Sequence, residues 1–188
     1  MKPIHKRLIT YLLIGIITYF AGIYYLSRNV TEHFTLRAIL IHESASRWGN
    51  AEIIRQWHKE RGFTDIGYHA VILNGRLSST SAYNPALDGK IEPGRPETEY
   101  GKHCAADGMN LKSLGVCIIG NPNYPGYLTN KQMDSLIHYC AIKCVQYNIP
   151  VSQITQHSDH DPQKPVDASL DMVEFRKRVQ QEIGRVHG

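Results

Sequence analysis

The segment Gln156–Asp167 reads QHSDHDPQKPVD and crowds His157, His160, Asp159, Asp161, Lys164 and Asp167 into one stretch. Imidazoles and carboxylates ligate divalent metals or move protons, and a lysine ammonium stabilises developing negative charge. A mononuclear catalytic zinc site takes three protein ligands and leaves a fourth position for water. His42, which closes the apolar run TLRAILIH (Thr35–His42), is a further donor at the end of a strand. Spacing alone leaves metal binding open, because a histidine ending a strand also occurs as a packing residue and the HxxH pair His157/His160 is not diagnostic.

The elements that must position these groups follow from periodicity. Thr35–His42 reads as a buried strand, Gly67–Leu73 as a second and Leu114–Ile119 as a third. Asn74-Gly75 is a hairpin signal that returns the chain through Arg76–Thr80, ahead of a turn-rich insert reaching Arg95. Asn50 is placed to cap a helix carrying Ile53, Ile54 and Trp57, with Gly62 just past its end. Thr129 and Gln132 form a capping box ahead of a helix whose apolar stripe holds Met133, Leu136, Ile137, Cys140, Cys144 and Val145. A last helix starts near Asp171 and buries Met172, Phe175, Val179 and Ile183. Strands interleaved with helices predict an α/β fold, a single domain with a central mixed β-sheet flanked by helices. Cys140 and Cys144 lie on the apolar stripe and read as core thiols, and the four cysteines show no zinc-finger spacing.

Three stretches in order, IHESA (41–45), EIIRQWHKERGFTDIGYHAVI (52–72) and EPGRPETEYGKHCAADGMNLKSLGVCIIGN (92–121), carry a resemblance. The chain is similar, over about Leu36–Arg176, to the zinc-dependent N-acetylmuramoyl-L-alanine amidases, which include bacteriophage amidase-type lysozymes and peptidoglycan recognition proteins. The resemblance implies Zn2+ held by His42, His157 and Asp167. It implies Tyr68, in the GYH motif, and Lys164 as catalytic groups, and His103, in GKHCA, as a substrate-binding residue of the cleft. Arg95, in PGRPE, occupies another recurring position, where the resemblance implies contact with stem-peptide carboxylates as one reading; read on its own it is a solvated loop arginine, and it stays outside the expected site. Cys117 stands where several members carry a glutamate base. Lys164 stands three positions before Asp167 rather than two, and KPVDAS replaces the usual Pro-Gly ending. His69 is expected to pack on the face opposite Tyr68, while His58, His138, His187, His160, Asp159 and Asp161 have no assigned chemistry.

The function so implied is hydrolysis of the amide between N-acetylmuramic acid and L-alanine of peptidoglycan, by a monomer, in wall lysis or remodelling. The alternatives are a muropeptide-sensing module that binds without cutting, which in this family lacks the third ligand, and a hydrolase for a different amide.

The remaining features set the compartment. Lys2, Lys6 and Arg7 precede the uncharged stretch Leu8–Leu26. As a helix it spans roughly 28 Å, near the hydrocarbon thickness of a bilayer. The expectation is a basic cytoplasmic segment 1–7, a transmembrane signal-anchor helix 8–26, a linker 27–34 and a catalytic domain 35–188 on the extracytoplasmic or periplasmic side of the cytoplasmic membrane. A cleaved leader fits less well, since no A-x-A-like site precedes SRNVTEHF. The chain has 188 residues, 42% hydrophobic and 20% charged, and a net charge of +4. That charge is spread along the chain and gives no footprint for nucleic acid.

Overall fold

The computed structural model describes residues 13–25, 35–161 and 170–187. Residues 13–25 form helix α1, in which the Thr18 hydroxyl donates back to the Ile14 and Gly15 carbonyls. Its Leu13, Ile17, Phe20 and Tyr24 are exposed. Among the described residues no helix is long and apolar enough to cross a membrane. The transmembrane helix expected over 8–26 is therefore not found there, and its residues 8–12 and 26, like the linker 27–34, lie outside the described residues.

The unit Leu36–Gly188 is built on a five-stranded sheet in the order β3-β2-β4-β1-β5. The strands are β1 (Ala38–Glu43), β2 (Ala70–Asn74), β3 (Asp88–Pro93), β4 (Ser113–Ile118) and β5 (Ile154–Gln156). All neighbours run parallel except β2 and β3, which makes the sheet mixed, as expected. β1 and β4 are buried along their whole length, which is why they read as continuous apolar runs rather than alternating ones.

Alternation along each strand sorts the core into two faces. Leu40, Cys117, Val71 and Leu73 share one face with helix α2 (Ala51–Glu60), where Ile54, Ile66 and Ile119 pack and Trp57 and Tyr68 close the edge. The Asn50 carboxamide accepts from the Ile53 amide at 2.9 Å and starts α2, and Gly62, at φ +85°, follows its end. A short helix α3 (Met109–Lys112) lies ahead of β4 and buries Met109 against Ala38 and Leu40. Helix α4 (Asn130–Gln146) packs on β2 and β3 and against helix α5 (Met172–His187). Asp171 opens α5 by accepting from the Val173 and Glu174 amides, and Phe175 and Val179 are buried, while Met172 and Ile183 are only half-buried.

Two expectations are corrected. Asn74-Gly75 does turn the chain, with Gly75 at φ +81°, but Arg76–Thr80 is no strand. Ser78 and Ser81 instead close a tight hydroxyl-bonded turn, and the partner of β2 comes later, from β3 within the supposed insert. In α4 the stripe runs through Leu136, Ile137, Cys140 and Cys144 but leaves Val145 41% exposed. The stripe also takes in Gln132 and Tyr139, which polarity hid.

Gln132 is fully buried because every polar atom has a partner. Its amide nitrogen donates to the Ile72 and Ile119 carbonyls at 3.3 and 2.9 Å, and its oxygen accepts from the Thr129 amide at 3.1 Å. One side chain thus joins the first turn of α4 to the strand ends. Replacing it by leucine takes this partner from the Ile119 carbonyl and the Thr129 amide, whereas the Ile72 carbonyl keeps the Ile119 amide at 2.9 Å; desolvated polar groups cost about 1–3 kcal/mol each. Gln132→Leu is expected to lose about 3 kcal/mol or more and to lower the melting temperature by roughly 6 °C or more. A thermal melt within about 2 °C of the parent would contradict this account.

Candidate active site

The site begins with strand register. Ile41 is paired with Gln156 across β1 and β5, so the next residues, His42 and His157, emerge side by side although they are far apart in sequence. Their rings meet edge to face with centroids 4.8 Å apart. His42 is 2% exposed, while His157 is half-buried at the rim. Asp159, without assigned chemistry in the sequence, closes the turn that carries His157 by accepting from the Gln156 amide at 2.9 Å.

Tyr68 enters from the segment just ahead of β2 rather than from within a strand. Its ring centroid lies 5.1 Å from that of His42 and 5.3 Å from that of His58. The neighbouring His69 is indeed packed and hydrogen-bonded: its Nδ1 accepts from the Gly115 amide at 2.9 Å, which leaves the proton on Nε2, facing the Glu99 carbonyl at 3.1 Å. His103 Nδ1 lies 3.0 Å from His42 Nε2 in a buried contact. Together His42, His157, Tyr68, His103, His58 and Glu43 line a cleft of about 320 Å³.

The remaining expected site residues, Lys164 and Asp167, lie outside the described residues. Among the described residues no group of three His, Cys, Asp or Glu side chains gathers as a metal cage. The residue types nevertheless suit Zn2+: His42 and His157, whose rings meet, would supply two imidazole ligands, and the carboxylate of Asp167, ten positions after His157 in sequence, would supply a third.

Sequence reasoning missed several features. His58 is buried in α2, and its Nδ1 accepts from the Gly67 amide at 2.9 Å, just ahead of Tyr68. The signal available was its place one turn after Ile54 on the apolar stripe of α2. Glu43 is 8% exposed, and its carboxylate accepts from the Tyr127 hydroxyl at 3.0 Å. Arg95 is no solvated loop arginine: it is 8% exposed, its Nε donates to the Ile66 carbonyl at 2.9 Å, and its backbone amide donates to the Tyr68 carbonyl at 2.8 Å. It thereby clamps the Tyr68 segment from behind. His160 sits between Asp107 at 2.8 Å and Thr155 at 3.0 Å, tying the loop down away from the cleft.

Burial sets the charge state of the surrounding imidazoles. Desolvation pushes His103 down to about 3, helped by the neighbouring His69, so that ring is neutral at working pH. Desolvation likewise lowers His58, with Arg61 and Arg95 adding to it, and lowers His69 against the opposing pull of the Glu99 carbonyl. A larger cavity, about 570 Å³, lies between α4 and α5. Along it Arg178 pairs with Asp134 and His138 lies 3.0 Å from Glu182, and none of the expected site residues lines it.

Comparison with known proteins agrees with this geometry. Residues 33–167 match the family described as N-acetylmuramoyl-L-alanine amidase. The chain is 38% identical over 109 residues to the endolysin of Enterobacteria phage T3, covering 54% of this chain and 62% of that protein. It is 38% identical over 106 residues to the endolysin of Escherichia phage T7, covering 53% and 60%. The match thus spans somewhat under two thirds of the length of these relatives. Among solved structures, N-acetylmuramoyl-L-alanine amidase LysC from Clostridium intestinale URNW superposes with a TM-score of 0.64 at 28% identity, over 79% of this chain and 87% of that one.

The buried histidines predict acid sensitivity. Below the unfolded value near 6.5 the unfolded chain binds protons at His58, His69 and His103 that the folded chain refuses, so stability is greatest above that pH and falls as pH drops toward 3. Each such group adds a slope of up to about 1.4 kcal/mol per pH unit. Urea unfolding of the metal-free chain at pH 7.5, 6 and 5 is expected to show a steadily falling midpoint; a flat or rising midpoint would count against neutral burial.

Proposed function

The chain belongs to the N-acetylmuramoyl-L-alanine amidase family, and from that premise we propose that it is a zinc-dependent peptidoglycan hydrolase cutting the amide between N-acetylmuramic acid and L-alanine. The observation that carries the proposal is the meeting of His42, His157 and Tyr68 in one cleft. His42 and His157 would hold two positions of the metal, and Asp167 would complete the set. Zinc, when bound, supplies a Lewis acid for the amide carbonyl and acidifies water to a nucleophile at neutral pH.

The residues around it do the rest. As the lactyl-amide carbon becomes tetrahedral, charge grows on its oxygen, and the Tyr68 hydroxyl and Lys164 ammonium are the donors assigned to it. The departing nitrogen needs a proton, and Tyr68, whose ring lies against that of His42, is the residue assigned to supply it, directly or by relaying one from water. Arg95, bonded to the Tyr68 and Ile66 carbonyls, steadies the backbone from which the Tyr68 side chain projects.

Wall lysis is the setting favoured by the likeness to phage endolysins. We further propose that Leu8–Leu26, with Lys2, Lys6 and Arg7 before it, tethers a monomeric enzyme to the cytoplasmic membrane with its catalytic domain outside, where the polymer lies.

Full-length protein incubated with purified peptidoglycan is expected to release muropeptides with free L-alanine amino termini, seen by mass spectrometry, and to stop when a chelator is added. Tyr68→Phe should lower turnover roughly a hundredfold with little change in zinc content. Asp167→Ala should lose both zinc and activity; full zinc-dependent activity in that variant would sink the ligand assignment. Zinc binding and muropeptide binding without cleavage would favour a sensing module instead. Membrane fractionation of the full chain tests the tether, which recovery wholly in the soluble fraction would exclude.

A further inference from the structure

We infer that His103 is a positioning residue that fixes the tautomer of His42, so that His42 presents the Nδ1 lone pair to the metal; this rests on the zinc reading above. The reasoning starts from a group with no choice. The Ser113 backbone carbonyl can only accept, and it lies 3.4 Å from His103 Nε2 in a buried contact. That nitrogen therefore carries the hydrogen. A neutral imidazole has one N–H, so His103 Nδ1 bears a lone pair. His42 Nε2, 3.0 Å away, must then be the donor, and the only nitrogen of His42 left with a lone pair is Nδ1.

The same contacts argue against His103 as a direct substrate contact. It is 8% exposed and both ring nitrogens are engaged, so it offers a substrate no donor or acceptor.

The fold gives up side chains to hold this ring. Gly115 pairs with Leu40 and sits on the face of the sheet that carries His42. A Cβ there would come within 2.4 Å of His103 Cδ2, and a Cβ at Gly101 would meet the same atom at 2.4 Å. The ring fills the hole that two glycines leave. His69 braces it edge-on with centroids 5.8 Å apart, itself fixed by the Gly115 amide and the Glu99 carbonyl. The His103 amide donates to the Asn110 side chain at 2.7 Å, which holds the backbone as well. A buried carbonyl thus reaches the metal ligand through one imidazole, the arrangement by which outer partners orient ligating histidines.

Two-bond proton–nitrogen NMR on the metal-free, full-length, 15N-labelled chain reads the tautomer directly, and chelator competition reads zinc affinity separately from activity. The expected parent spectrum has His42 in the Nε2–H form. His103→Leu should mix the tautomers and weaken zinc binding about 10- to 100-fold. His103→Asn, whose amide oxygen replaces the Nδ1 acceptor, should recover part of that loss. Gly115→Ala, which displaces the ring without touching a ligand, should weaken zinc in the same direction. His42 in the Nδ1–H form in the parent, or zinc affinity within twofold of the parent in His103→Leu, overturns the inference and leaves the zinc reading standing. A parent chain that binds no zinc overturns both. Should His103→Leu fail to fold, the parent spectrum and Gly115→Ala decide it.

Discussion

Everything at this site depends on β1 being hydrogen-bonded on both sides, to β4 and to β5. A strand with two parallel neighbours has no freedom to slip, because a one-residue shift would turn its whole side-chain set to the other face of the sheet. The pairing of Ile41 with Gln156 therefore fixes where His42 and His157 leave the sheet. Two histidines that the chain supplies from opposite ends of the domain become neighbours through backbone geometry, before any metal is considered.

Around that ladder the cleft is built from groups held in one state. His58, His69 and His103 lie in surroundings that disfavour their charged forms, and each has at least one ring nitrogen committed to a backbone group. Polar atoms removed from water this way are stable only when partnered, and once partnered they cannot easily re-aim. The backbone carbonyls of Ile66 and Tyr68, the latter flanking the site, are tied to buried Arg95. The same logic serves the far side of the sheet, where Gln132 joins α4 to β2 and to the residue after β4.

Some of this was legible in residue order and some was not, for identifiable reasons. Capping residues act within one turn, so Asn50, Thr129 and Asp171 mark their helices plainly. Parallel strands buried on both faces appear as apolar runs, which exposed β1 and β4. The edge strand β3, DGKIEP, is polar and carries a proline, so it resembles the loop around it; only pairing with β2 makes it a strand. β5 is three residues long and leaves no periodicity to detect. The capping-box role of Gln132 was legible, but its burial, like that of Arg95, was not, because burial of a polar side chain depends on partners distant in sequence.

By itself the sequence determined the α/β class, the helix starts, the core thiols of α4 and, through family resemblance, His42, His157 and Tyr68 as the residues to watch. Those follow from local periodicity, capping and motif order, all of which are carried by neighbouring residues. Only the tertiary structure decided that His42 lies against His103, that His103 rests in a hollow made by Gly101 and Gly115, and that Arg95 stands behind Tyr68. Such contacts join segments separated by strands and turns, and their energy comes from shared desolvation and register, quantities that exist only once the sheet has closed.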